Sequence, residues 1–169
     1  MAGMITQLIG VMKEQVERHT ELHGLSVEEK DAIVKNDIDE LQKLVNLKNM
    51  VISQNNRLEK QRMSLTSDIA EVMGLPDKDL TFSQLIEIMA GKPEEAELRE
   101  VGVSLKDIVE KLKEANDLNR ELLESAIDFV EYSLNALRST IDPEPTEIPT
   151  ALAPKADGSR GASSFNATR

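Results

Sequence analysis

His19 and His23 are the only histidines in the chain and stand four residues apart, which on a helix places both imidazoles on one face, as a zinc pair requires. The rest of a zinc site is missing. In His19-Thr20-Glu21-Leu22-His23 the acid is the third residue rather than the second, and there is no Cys and no further His to complete tetrahedral coordination. Ordinary helix-surface or seam histidines are the better reading, and no metal is assigned. Carboxylates are abundant, with Glu28, Glu29, Asp31, Asp37, Asp39 and Glu40 close together, and paired carboxylates are the material of general acid–base catalysis. Such a pair needs a desolvating pocket or a like-charge neighbour to move a pKa into a useful range, and long solvated helix faces rarely supply one. No phosphate-cradling glycine loop, nucleophile elbow or cofactor fingerprint is present. The chain is therefore read as a non-enzyme, with no catalytic residue and no cofactor.

These side chains would be carried by helices. From about Met4 to Lys35, Ile5, Leu8, Met12, Gln15, His19, Leu22, Ser26, Glu29 and Ile33 recur at steps of three and four, a helix seam with polar members towards its middle. The segment Asn36 to Glu40 reads as a turn and a capping box, Asp37 accepting from the amide three residues on and Glu40 reaching back to the Asp37 amide. A second seam follows through Leu41, Leu44, Lys48, Val51, Asn55, Leu58, Arg62, Leu65, Ile69 and Val72, ending at Gly74 with Pro76 beyond. Two long helices joined by so short a turn must lie antiparallel. A loop from Leu75 to Leu80 leads to a short helix, Thr81 to Ala90, with Thr81 and Gln84 as capping box and Leu80 and Leu85 as hydrophobic staple. Gly91 ends it, and Pro93 suits the first position of a third long helix, about Glu94 to Thr140, with a break expected near Gly102.

That last helix carries two stripes. Leu105, Ile108, Leu112, Ala115, Asn119, Leu122, Ala126 and Phe129 form one; Leu123, Ile127, Val130, Leu134, Leu137 and Ile141 form the other. A helix with one neighbour needs one stripe, so the face made by Leu122, Leu123, Ala126, Ile127, Phe129, Val130, Leu134 and Leu137 calls for a second neighbour within the fold or a partner from outside. Its polar side carries Glu121, Glu124, Asp128 and Glu131 against Arg120 and Arg138, the reverse of what an anionic membrane favours. A partner protein is the expectation.

Composition agrees. Aromatic residues are only Phe82, Phe129, Tyr132 and Phe165, so the core is aliphatic and suited to helix seams. A net charge of -11 repels nucleic acid and anionic headgroups. No secretory signal, membrane-length apolar run or Cys is seen, which fits a soluble, reducing, cytoplasmic setting. After Ile141, Pro143, Pro145, Pro149 and Pro154 and then Gly, Ser and Asn make a composition unable to bury a core. The expected fold is all-α: an antiparallel long-helix hairpin, a third long helix and one short helix over residues 1–141, with a flexible tail over 142–169.

Over residues 4 to 140 the chain resembles the FlgN family of flagellar export chaperones. Glu21-Leu22 through Glu29, Ala32, Ile33, Asn36-Asp37 and Leu41 look like the family's first turn, and Leu58-Glu59 with Arg62 is similar to its Leu-Glu-x-x-Arg signature. Asn116-Asp117-Leu118-Asn119-Arg120-Glu121-Leu122-Leu123, followed by Phe129-Val130 and Leu134, looks like its Asn-x-x-Asn-x-x-Leu-Leu pattern. The resemblance implies a cytosolic chaperone of type III export that binds C-terminal helical segments of hook-associated proteins, keeps them unassembled and delivers them to the export gate. The face from Leu122 to Leu137 is then the cargo site, and Asn116 and Asn119 either register helix packing, the preferred role, or bond the cargo backbone. Related chaperones often carry a Tyr in the tail before an Asp-Gly stretch, linked to docking at the gate; here Leu152 to Gly158 keeps Asp157-Gly158 and has no Tyr. The rival readings are a coiled-coil adaptor or a chaperone of another secretion system, and the seam also suits a homodimer.

Overall fold

The computed structural model of the chain describes residues 2–75 and 80–141. Its elements are α1 (Ala2–Lys35), α2 (Ile38–Val72), α3 (Phe82–Ile88) and α4 (Glu95–Ile141), with no strand among the described residues. The chain divides into two units, Met1–Phe129 and Val130–Arg169, and the packing that follows is that of the first.

The hairpin turn rests on two residues. Asn36 holds a left-handed φ of 55°, which a short polar side chain tolerates better than most. Its amide donates to the Ile33 carbonyl at 3.0 Å and the Asp37 amide to the Ala32 carbonyl at 2.9 Å, satisfying the orphan carbonyls of α1 in a Schellman arrangement. Asp37 then caps α2 by accepting from the Glu40 amide at 3.0 Å. The reciprocal half of the expected capping box does not form. The Asp37 amide is already given to Ala32, and the Glu40 carboxylate pairs with Lys43 at 3.0 Å.

Side-chain bonds give the helix directions. Gln15 meets Glu59, His19 meets Asn55 and Glu29 meets Lys48, so partner numbers fall along α2 as they rise along α1, and the pair is antiparallel. Lys13 meets Glu97 and Ser26 meets Asn116, so α4 runs parallel to α1. Every expected seam member of α1 is buried except His19, which is half-buried. On α2 the final expected member, Val72, is exposed instead, because it falls on the last turn beyond the buried pair Ile69 and Ala70.

The apolar core lies at one end, where Ile5, Leu8, Ile9 and Met12 of α1 cluster with Ile69 and Ala70 of α2, Leu98 and Val101 of α4, and a lid formed by Leu80, Leu85, Ile86 and Met89. Full burial of side chains of this size stabilises by ~1.5–3 kcal/mol each. The lid is held by a complete capping box: the Thr81 amide donates to Gln84 Oε1 at 2.9 Å and the Gln84 amide to Thr81 Oγ1 at 3.3 Å. Leu80 and Leu85, the expected staple, are both buried. Gly74, at φ 68°, closes α2 with a second Schellman pair. Pro76 and residues 77–79 of the expected loop, and the expected tail 142–169, lie outside the described residues.

Two expectations for α4 need correction. There is no break at Gly102: the helix is continuous, and the glycine is there because the Phe82 ring sits against the backbone, where a Cβ would overlap ring atoms Cζ and Cε1. Pro93 is not the first helical residue. It lies in the preceding turn, and α4 begins at Glu95, whose Oε2 accepts from the Gly91 amide at 2.7 Å.

Candidate partner-binding surface

Asn119 is the last buried residue of α4. Its Nδ2 donates to the Ser26 carbonyl at 2.7 Å and to Glu29 Oε2 at 2.8 Å. Lys48 Nζ donates to the same Glu29 oxygen at 2.7 Å and to Asn116 Oδ1 at 3.2 Å, and Ser26 Oγ donates to Asn116 Oδ1 at 2.9 Å. Five side chains from three helices thus form one polar node, in which the sole acid is neutralised by a lysine nearly as buried as itself. Buried groups paired so specifically fix helix register, since a slip of one turn would strand each of them. Both family-motif asparagines bond within the fold, while the buried Asn119 Oδ1 has no partner and Asn116 is exposed.

Beyond the node the character of α4 changes. In the first unit Leu122 is half-buried, whereas Leu123 is 40% exposed, Ile127 57% exposed, and Ala126 and Phe129 exposed. In the second unit Val130, Leu134 and Leu137 are 54%, 48% and 58% exposed, with Ile141 more so. Leu123, Ile127, Val130, Leu134, Leu137 and Ile141 alternate at four and three residues, the spacing of a coiled-coil seam. Leu123 and Ile127 in the first unit, and Val130, Leu134, Leu137 and Ile141 in the second, are each left in water. They are flanked by Glu124 and Glu131 and then by Arg138.

The Leu58-Glu59-x-x-Arg62 motif lies elsewhere in the first unit. Glu59 accepts two bonds from the Arg62 guanidinium, at 2.6 and 2.9 Å, and one from Gln15 Nε2 at 2.9 Å. The Arg62 bonds outweigh partial burial and hold the Glu59 carboxyl down at about 2. Leu58 is half-buried. His19 lies 3.4 Å from Asn55, and burial keeps its pKa below the ordinary imidazole value, so it is neutral. His23 is half-buried, and among the described residues no group of three or more acids and histidines could hold a metal. No described helix is long and apolar enough to cross a membrane.

One feature was not read from sequence. A groove of about 550 Å³ opens between α2 and α4, with Gln15 and His19 of α1 in its lining, Asn56 and Glu59 on one wall and Lys106 and Val109 on the other. Its α2 wall, Asn55, Asn56, Glu59 and Arg62, is polar, so no apolar pattern in the sequence points to it.

Compared with known proteins, residues 1–146 match the family model described as FlgN protein. No curated protein and no solved structure matches the chain.

Proposed function

This chain belongs to the FlgN family of flagellar export chaperones, and from that premise we propose that it holds C-terminal helical segments of hook-associated proteins in the cytoplasm, keeps them from assembling early and presents them to the export gate. The observation that carries the reading is the exposure of the apolar row on α4. An amphipathic client helix laid along Leu123, Ile127, Val130, Leu134 and Leu137 would bury its own anchors and theirs together, which is helix-in-groove recognition. Each large side chain taken out of water contributes ~1.5–3 kcal/mol, so a few anchors suffice for a hold that is firm and reversible.

Nothing in this task calls for bond-making. The protein works by covering a sticky client surface, and the chemistry is burial and release. Gate delivery through the tail would proceed without the Tyr of related chaperones, so the folded part is the better candidate for docking there.

The test is capture of purified hook-associated proteins by the full chain and by Ile127→Asp and Val130→Asp variants. Lost capture with an unchanged helical circular-dichroism signal is the expected result. Capture equal to wild type in both variants would rule the face out, and unfolding of the variants would mean that the row is core.

A further inference from the structure

We propose that the end of α4, from Val130 to Ile141, pairs antiparallel with the same segment of a second copy of this chain, in a weak dimer that covers these side chains while no client does. The pairing itself stands apart from the chaperone reading above; only the competition with a client rests on it.

The spacing of the apolar residues points to a copy of itself. Val130, Leu134, Leu137 and Ile141, all in the second unit, follow one another at steps of four, three and four. That order is the same in either direction, so two such helices laid antiparallel meet layer for layer. Val130 of one copy faces Ile141 of the other and Leu134 faces Leu137, and the twofold axis repeats both layers. Each layer then sets like on like, β-branched against β-branched and leucine against leucine. All four side chains are available for this, with exposures from 48% at Leu134 to 80% at Ile141.

Charge selects the direction. Glu131 and Arg138 lie on the same edge of the seam, each one residue after an apolar member, Val130 and Leu137. They stand seven residues apart, ~10.5 Å along a helix, too far to meet within one chain. Neither enters an ion pair among the described residues, whereas Arg99, Lys106 and Arg120 of the same helix each find an acid three or four residues away. The antiparallel register brings Glu131 of each copy beside Arg138 of the other, one ion pair at each end of the seam. The opposite edge carries Ser133 and Thr140, small enough to let the helices approach. A parallel pair would instead set Arg138 against Ser133 and leave the charges unmatched. Sliding the antiparallel pair until Ile127 faces Leu137 would set Glu131 against Glu131 at the axis, a like-charge contact. A seam this short belongs to the weak class of interface and dissociates on dilution. A client helix lying on Leu134 and Leu137 takes the same side chains, so client and second copy exclude each other.

The experiment follows the full-length chain by sedimentation equilibrium up to about 1 mM, a weak association on any scale. A reversible monomer–dimer equilibrium is expected, weakened at least about tenfold by Leu134→Asp and by Glu131→Arg. Adding Arg138→Glu to Glu131→Arg exchanges the two charges and should restore most of the loss. The substituted side chains are exposed, so the helical circular-dichroism signal should be unchanged throughout. Because the chain has no Cys, introduced cysteines report orientation cleanly. Chains with Leu134→Cys mixed with chains with Leu137→Cys should yield mainly the disulfide between unlike chains, since that pair falls within bridging reach. A chain that stays monomeric throughout, or a dimer indifferent to Leu134→Asp, would overturn the proposal. So would a double charge exchange no better than the single one, or disulfides mainly between like chains. A hook-associated protein that binds without loss of the dimer would overturn the competition and leave the pairing standing.

Discussion

The node around Glu29 shows how single residues decide helix register. Asn119 is buried and donates to two acceptors, so Asn119→Ala removes its bonds to the Ser26 carbonyl and the Glu29 carboxylate and should lower stability by about 1–3 kcal/mol in denaturant unfolding. Lys48→Met is expected to cost more, about 3–5 kcal/mol, because it leaves the nearly buried Glu29 carboxylate without its cation. Equal effects of the two would mean that the ion pair is solvent-screened. The second cluster reports through pH. Glu59 titrates at about 2 in the fold against 4.5 ordinarily, so its contribution is complete above about 4.5 and is lost as pH falls towards 2. Half-buried His19 adds to the trend from below 6.5, where the unfolded chain binds the proton better. Between pH 6 and 3, Glu59→Gln should therefore lose less melting temperature than wild type, and parallel curves would contradict this. The sequence made these positions legible as polar members of helix seams. It could not supply their partners, because Ser26 meets Asn116 only once the register of α1 against α4 is known.

At the scale of elements, local signals were read well wherever the physics is local. Thr81 with Gln84 caps α3, and Gly74 ends α2, because caps and left-handed turns involve neighbours in the chain. At Gly102 a tertiary contact overrides the local signal. Ser104 with Asp107 could cap a new helix after Gly102, but α4 runs on and the missing Cβ makes room for the Phe82 ring. Gly102→Ala should thus destabilise by about 1–3 kcal/mol despite the better helix propensity of alanine. Adding Phe82→Leu should recover part of that loss in thermal unfolding. A stabilising Gly102→Ala would show that the ring yields freely. The Asp37 box failed by half for a related reason, competition between the end of α1 and the start of α2 for the same amide.

Across the whole molecule, the buried apolar core lies at one end of the first unit, and the exposed apolar row lies in another part of the sequence. The core unites the start of α1, the end of α2, α3 and the start of α4, whereas α4 beyond Asn119 has no buried residue among those described. The two apolar stripes between Leu122 and Leu137 are legible in sequence, where they exceed what one neighbour can cover. The groove is not, because a gap between α2 and α4 exists only after both are placed on α1. Helix amides without tertiary cover open at low free energy, and a guest that packs on them closes that route. Hydrogen exchange of the free chain and of its mixture with a hook-associated protein is therefore the most direct measurement. The chaperone reading requires residues 123–137 to exchange quickly alone and to become strongly protected in the mixture. Binding that leaves this stretch as fast as before, with protection gained only elsewhere, would contradict it.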